Sequence, residues 1–373
     1  MSNSKIAIVT TAHERNDTRI FQKQIVSLQK VDGYHISLHV CDGLGNMRSN
    51  EHSFSIIDHG KVVGRLDRML RCSWRIFKFL FVTKPDLVHF HDPEFLPFAV
   101  ILRLRGVKVI YDVHEDLPAT VETKEYIYAP IRPILKLVIN FVEKFLSRSL
   151  HCKVVATPAI GKNFKCNNVY VVQNYPNYFP PRTEPKTKDK YFVYVGMISK
   201  IRGVGEVIDS LALMKENARL KLIGPFQDES FKEILKERPG WRKVDYIPWL
   251  ERFELSSVIQ TSIAGIVTFK NEKNHVEAQP NKMFEYMACG TPVIGSDFPL
   301  WRDIIENNEV GVVVNPDNSE QLAATLDDVV RSADKVSRWS ENAVICSRTK
   351  YSWESEEKVL LQLYQDLLGS ENR

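Results

Sequence analysis

The chain has 373 residues, 44% hydrophobic and 26% charged, a globular composition with room for two domains rather than one. Its six cysteines, Cys41, Cys72, Cys152, Cys166, Cys289 and Cys346, stand far apart with no Cys-x-x-Cys pair, which argues against a disulfide framework or zinc site and for a reducing cytoplasm. Met-Ser-Asn-Ser-Lys runs straight into Ile6-Ala7-Ile8-Val9, too short for a signal peptide, no segment reaches the length of a membrane span, and the protein is expected to be soluble or peripheral.

In the first half, short β-branched runs predict strands at Ile6–Thr10, Ile36–Val40, Leu87–Phe90, Val107–Tyr111, Val154–Ala156 and Val169–Val172. Helical patterns fall between them at Arg19–Lys30, Gly64–Val82, Phe95–Arg105 and Ile131–Leu150. Strand–helix–strand order implies parallel pairing with right-handed crossovers, a doubly wound sheet. The loop after the first strand reads Ala12-His13-Glu14-Arg15-Asn16-Asp17-Thr18-Arg19 and has no glycine. His89 and His91 stand at one strand end beside Asp92, and His114 at another, in Tyr111-Asp112-Val113-His114. Strand ends are where such sheets keep their chemistry, which favours a functional over a structural His114. For His89 and His91 a metal is conceivable, yet contact with a second substrate or simple packing fits better, His91 and Asp92 being the candidates for that contact.

Residues 174–190, with four prolines, read as a linker. The alternation then restarts, with strands at Tyr191–Val195, Leu220–Ile223, Val244–Ile247, Ala264–Phe269, Val293–Gly295 and Gly311–Val314. Helices are expected at Gly205–Lys215, Ser230–Lys236, Phe253–Thr261, Lys282–Ala288 and Ser319–Arg331. The expected plan is two Rossmann-like parallel-sheet domains, 1–173 and 191–350, facing a cleft. A C-terminal helix, 351–373, would pack back towards the first domain.

Two segments of the second domain carry the chemistry. Val195-Gly196-Met197-Ile198-Ser199-Lys200-Ile201-Arg202-Gly203 is a strand end, a loop with two cations and a glycine opening a helix, which suits a diphosphate. Glu277 and Glu285 then flank Pro280-Asn281-Lys282, where the first turn of a helix leaves amides unpaired. Amides around Asn281 together with Lys282 suit phosphate, and Glu285, a turn further on, suits hydroxyls. An isolated pair of glutamates would ordinarily be two solvated side chains; this context points to a nucleotide sugar.

These residues resemble the retaining family 4 glycosyltransferases of GT-B architecture, of the bacterial surface-polysaccharide type, over nearly the whole chain. The paired glutamates stand with seven residues between them, within Glu277-Ala-Gln-Pro-Asn-Lys-Met-Phe-Glu-Tyr-Met-Ala-Cys-Gly-Thr-Pro-Val-Ile294. The resemblance implies that Glu277 contacts the donor sugar, Glu285 the ribose, and His114 the sugar beside the reacting carbon. It also implies retention at the anomeric carbon, with the leaving phosphate helping to take the acceptor proton. The family's diphosphate arginine is replaced by Met197 and its lysine by Arg202, so Lys282 is expected to substitute for one contact. No two aspartates lie two positions apart, so no Asp-x-Asp metal site is expected; Lys200, Arg202, Lys282 and helix amides would meet the charge, with no cofactor and no metal.

The +4 net charge is uneven: residues 1–180 carry 24 Lys+Arg against 16 Asp+Glu, and the remainder 26 against 30. Arg65, Arg68, Arg75 and Lys78 recur at helical spacing beside Leu66, Met69, Leu70, Trp74, Phe77 and Phe81, and Ile131–Leu150 offers a second basic amphipathic helix. These read as surfaces for an anionic membrane, with no nucleic-acid module in view. The expected activity is transfer of a sugar from a UDP-linked donor to a lipid-linked saccharide, on the inner face of a bacterial cell membrane, for O-antigen, capsule or exopolysaccharide. The alternatives are a nucleotide-sugar 2-epimerase of the same fold, which needs no acceptor, and a non-enzymatic basic binding protein.

Overall fold

The computed structural model describes residues 3–49, 53–118, 121, 128–164, 168–177 and 190–369. The chain forms two compact units, the first of Met1–Asn174 with Glu356–Arg373 and the second of Tyr175–Ser355. Residues 178–189 of the expected linker lie outside the described residues, as do 50–52, 119–120, 122–127 and Cys166.

The first unit holds an eight-stranded sheet in the order β3-β4-β2-β1-β5-β6-β7-β8. Its strands are β1 (Ser4–Val9), β2 (Tyr34–Val40), β3 (Met47–Ser49), β4 (Phe54–Asp58), β5 (Leu87–Phe90), β6 (Lys108–Val113), β7 (Cys152–Val155) and β8 (Val169–Val171). All pairs are parallel except β3 with β4. The pair β3 and β4 stands where the sequence pattern predicts no strand. At a sheet edge a strand needs few buried positions, and Phe54 and Ile56 are too short an alternation to announce one.

The second unit holds six parallel strands in the order β11-β10-β9-β12-β13-β14. They are β9 (Tyr191–Val195), β10 (Arg219–Ile223), β11 (Val244–Ile247), β12 (Gly265–Val267), β13 (Val293–Ser296) and β14 (Gly311–Val314). Phe192, Tyr194, Leu220, Leu222, Ile266 and Ile294 pack with Val207, Ile208, Leu211 and Leu322 into one core layer. Helices Pro299–Ile305 and Ala333–Thr349 were not legible beforehand; the first is short, and the second is polar enough to read as exposed loop.

Both sheets reverse strand order beside a central strand, β1 between β2 and β5, and β9 between β10 and β12. Crevices at the carboxyl ends of strands at such reversals are the ligand sites of open α/β sheets. Cys41, just past β2, is bonded to Cys72, 31 residues on, which the cysteine spacing did not indicate because the fold rather than the sequence brings them together. Among the described residues no helix is long and apolar enough to cross a membrane.

Candidate active site

In the second unit, helix Asn281–Ala288 begins after Pro280 and ends at Gly290, whose φ of 66° accommodates the chain reversal. There the amides of Gly290 and Thr291 donate to the Met287 and Tyr286 carbonyls, closing the helix. Its core face, Met283, Phe284, Tyr286 and Met287, is buried, and the Tyr286 hydroxyl accepts from the Val195 amide at 2.9 Å, tying the helix to the end of β9.

Lys282 follows the same buried face, so its ammonium is carried beneath the loop that follows β9. Its Nζ lies 3.6 Å from the centre of the Tyr194 ring and has no hydrogen-bond partner among the described residues. Burial, reinforced by Arg202, holds the Lys282 ammonium well below the usual lysine range, against the pull of Glu285. Arg202 Nη1 donates to the Met197 carbonyl at 3.3 Å, and its guanidinium lies 5.5 Å from the Phe269 ring. Gly196, at φ 113°, faces both cations: a Cβ there would stand 3.5 Å from Arg202 Nη1 and 4.0 Å from Lys282 Nζ. The buried Ser199 hydroxyl in the same loop is also unpartnered among the described residues. Lys200 is exposed over the Phe231 ring, and Met197 is exposed. Glu285 is half-buried one turn into the helix; Asn281 and Glu277 are exposed at its start and in the preceding loop. The buried Lys282 ammonium and Ser199 hydroxyl, with Arg202 beside them, are suited to receiving phosphate oxygens.

The first unit gathers a second cluster where β1, β5 and β6 end. Asp112 on β6 is fully buried and accepts from Arg19 Nε at 3.2 Å, Arg19 Nη2 at 2.9 Å and Gln24 Nε2 at 2.6 Å. Burial alone would raise its carboxyl; Arg19 and the surrounding histidines hold it well below the carboxylate range. His114 is the first residue past β6, with Nε2 at 2.9 Å from His91 Nδ1. Burial pushes its pKa down to about 4 despite Asp112, so the ring is neutral near pH 7. His13, 5.0 Å from the His114 ring, is shifted the other way by its hydrogen bond to Asp17. Asp92 accepts from the Thr10 hydroxyl and the Thr11 amide, fixing the loop after β1.

His89, His91 and Asp112 bring three potential metal-ligating atoms within 4.8 Å of one another. Both Asp112 oxygens already accept from Arg19, whose guanidinium would stand beside any cation, and His89 Nδ1 is engaged by Tyr364 at 2.7 Å. The arrangement fits a fixed imidazole array better than a resident metal. Sequence reasoning singled out His114, His91 and Asp92 but not Asp112, Arg19 or His13, which stand within the quoted segments and acquire meaning only when three strands meet.

The basic helix departs from its expected face. Arg68 pairs with Glu94 at 2.8 Å and Arg75 donates to the His59 carbonyl, so both turn inward, whereas Arg65 is exposed. Phe77 is buried, and Leu66, Met69, Leu70 and Trp74 are exposed. Apolar residues surround too much of this helix for spacing alone to choose the buried side.

The family described as "Glycosyl transferases group 1" matches residues 179–344, and "Glycosyltransferase Family 4" matches residues 27–174. The chain is a family 4 glycosyltransferase of GT-B architecture. A relative of this glycosyltransferase is the O-antigen chain mannosyltransferase RfbU of Salmonella typhimurium strain LT2, 22% identical over 270 residues, 68% of this chain and 74% of that protein. Sucrose-phosphate synthase from Thermosynechococcus elongatus superposes with a TM-score of 0.78 at 16% identity, covering 99% of this chain and 100% of that one. Anabaena Alr3699/HepE in complex with UDP-glucose does so with a TM-score of 0.73 at 13% identity, covering 97% and 100%. These likenesses establish the glycosyltransferase fold, and the family matches its enzymatic class.

Proposed function

We propose that this glycosyltransferase moves a sugar, with retention, from a UDP-linked donor to a lipid-linked saccharide in the synthesis of a bacterial surface polysaccharide. The observation that carries the donor reading is the buried, unpartnered Lys282 ammonium beside Gly196 and Arg202. A diphosphate would supply the missing acceptors, and the leaving group's charge would meet Lys282, Arg202, the amides around Asn281 and, from the rim, Lys200. Glu285 would accept from ribose hydroxyls and Glu277 from the sugar. The first unit supplies His114, whose neutral imidazole presents a donor or acceptor rather than a charge to the transferred sugar. RfbU, by its name, extends O-antigen, and HepE holds UDP-glucose; both relationships favour this substrate class.

The membrane part of the reading rests on helix Arg132–Arg148. It exposes Ile134, Leu137, Val138, Phe141 and Phe145 while burying Glu143 and Ser147, an inversion of the usual amphipathic plan. Arg132, Lys136, Lys144 and Arg148 share the helix, the composition of an interfacial segment at anionic lipid. The test is nucleotide release with UDP-, GDP- and ADP-sugars in the presence of lipid-linked acceptors. Release that is acceptor-dependent and lost in Glu285→Ala supports the reading. Turnover by both Glu285→Ala and His114→Ala at the unmodified rate, or sugar epimerised without acceptor, refutes it.

A further inference from the structure

Away from the ends of β1, β5 and β6 that hold the histidine cluster, the first unit carries a groove of about 350 Å³ across β1, β2 and β4, bounded by helix Ser73–Thr83. It exists because of how the chain crosses from β2 to β4. Parallel neighbours are ordinarily joined by a helix that covers the sheet, but among the described residues of this connection the short antiparallel β3 stands in its place.

The exposed face is chemically unusual for a parallel sheet, whose inner strands are normally apolar on both sides. On β2 the residues facing one way, Ile36, Leu38 and Val40, are buried in the core. Those facing the groove are His35, Ser37 and His39. Ser37 Oγ lies 3.0 Å from His39 Nε2, and His39 Nδ1 lies 2.9 Å from His59 Nε2, a fixed chain along the floor. Burial lowers both imidazoles, His39 to about 3 and His59 to about 4, so the floor is neutral and each ring has one donor and one acceptor. The ladder occupies the strand amides, leaving no oxyanion pocket beside Ser37; the chain suits binding rather than acyl transfer.

Around this floor stand Lys5, His35 and Arg48, with hydroxyls from Ser55 and Thr83, and no carboxylate among the described lining residues. The side chains of Lys5, His35 and Arg48 form no ion pair among the described residues. Phe79, 38% exposed, offers its ring at the helix side. Hydroxyl and imidazole groups at fixed positions, one aromatic face and the cations of Lys5 and Arg48 match a sugar ring that carries an acid group. The volume is at the small end of the range of about 300–1,000 Å³ for ligand pockets.

We infer that this groove binds a short anionic saccharide segment, at a site separate from the donor and histidine clusters. Resting on the polysaccharide reading above, it would hold growing product or acceptor at a point away from the reacting end. The occupant is specified by chemistry: acid groups for Lys5 and Arg48, ring hydroxyls for the Ser37–His39 floor, and a C–H face for Phe79.

The test is calorimetric titration of the full chain with tetragalacturonate, with neutral maltotetraose and with inorganic phosphate. Saturable binding of tetragalacturonate, at least about tenfold tighter than either control, is expected. It should fall by about tenfold or more in Arg48→Glu, an exposed edge-strand change, and in Ser37→Ala, which removes a floor hydroxyl and adds no bulk. His114→Ala should bind as the unmodified protein does. Absence of saturable binding, equal binding of phosphate, or indifference to Arg48→Glu overturns the inference. Loss of binding in His114→Ala would also overturn it by placing the ligand at the other cluster. Nucleotide release measured alongside separates the two readings, since it persists if only the groove assignment fails.

Discussion

Lys282→Met should stabilise the second unit while weakening its hold on donor. In the free protein the Lys282 ammonium is buried with no hydrogen-bond partner among the described residues, offset by the Tyr194 ring at 3.6 Å. An uncompensated buried charge costs several kcal/mol, and a close ring returns about 2 kcal/mol, so an apolar chain of similar length should gain about 1–3 kcal/mol. For a unit of this size that corresponds to a rise of about 2–12 °C in Tm. Donor at about 100 times its Kd should stabilise the unmodified protein by about 2.7 kcal/mol. Losing charged hydrogen bonds worth about 1.5–3 kcal/mol would leave about 1.3 kcal/mol or less at the same concentration. Differential scanning calorimetry of both proteins, with and without UDP-sugar, reads all four values. A lower Tm in the free variant would mean that the ammonium is structurally paired; an undiminished donor shift would mean that it does not touch the diphosphate.

Other outcomes are equally specific. Glu143, buried and accepting from the Tyr111 hydroxyl at 2.9 Å, is raised by burial to about 7. Because the folded carboxyl holds its proton more tightly than the unfolded one, its contribution to stability is present at acid pH and lost as pH rises through 7. Glu143→Gln should therefore match the unmodified protein near pH 4 and exceed it by up to about 3 kcal/mol at pH 8 in denaturant titrations. Asp112→Asn should cost about 3–5 kcal/mol of first-unit stability, since it leaves Arg19 buried without its anion; a cost under about 1 kcal/mol would contradict the network described. His114→Ala should lower kcat by about 10²-fold with little change in donor KM, measured by nucleotide release with acceptor present. Phe141→Asp with Phe145→Asp should reduce partitioning onto anionic vesicles by about 10²-fold or more, from the loss of two apolar anchors.

Apart from β3 and β4, the strands of both sheets were legible because parallel, doubly covered strands are apolar runs separated by helical periods, as in Tyr191–Val195 and Leu87–Phe90. Helix Asn281–Ala288 was legible because a proline start and glycine stop are local signals. What escaped depends on distant partners. Asp112 joins Arg19, 93 positions away, and His89 meets Tyr364 across 275, so no window of sequence contains either relation. The groove escaped because it arises where β3 stands in place of a crossover helix among the described residues, and β4 was itself too short to be read. The apolar side of Arg132–Arg148 was visible as periodicity, but only burial shows that it points away from the core.

The helix Trp353–Gly369 also bears on how the chain comes into being. From Glu356 onward it belongs to the first unit, where Leu360, Leu363 and Tyr364 are buried, Glu356 accepts from the Gln173 amide and Tyr364 holds His89. The second unit, continuous from Tyr175 to Ser355, is fully synthesised before those residues leave the ribosome. Assembly therefore runs against the order of synthesis: the unit translated first is the last to be completed, and until then its sheet waits with an open flank. Truncation before Glu356 would therefore strike the histidine cluster nearly three hundred residues earlier in the chain.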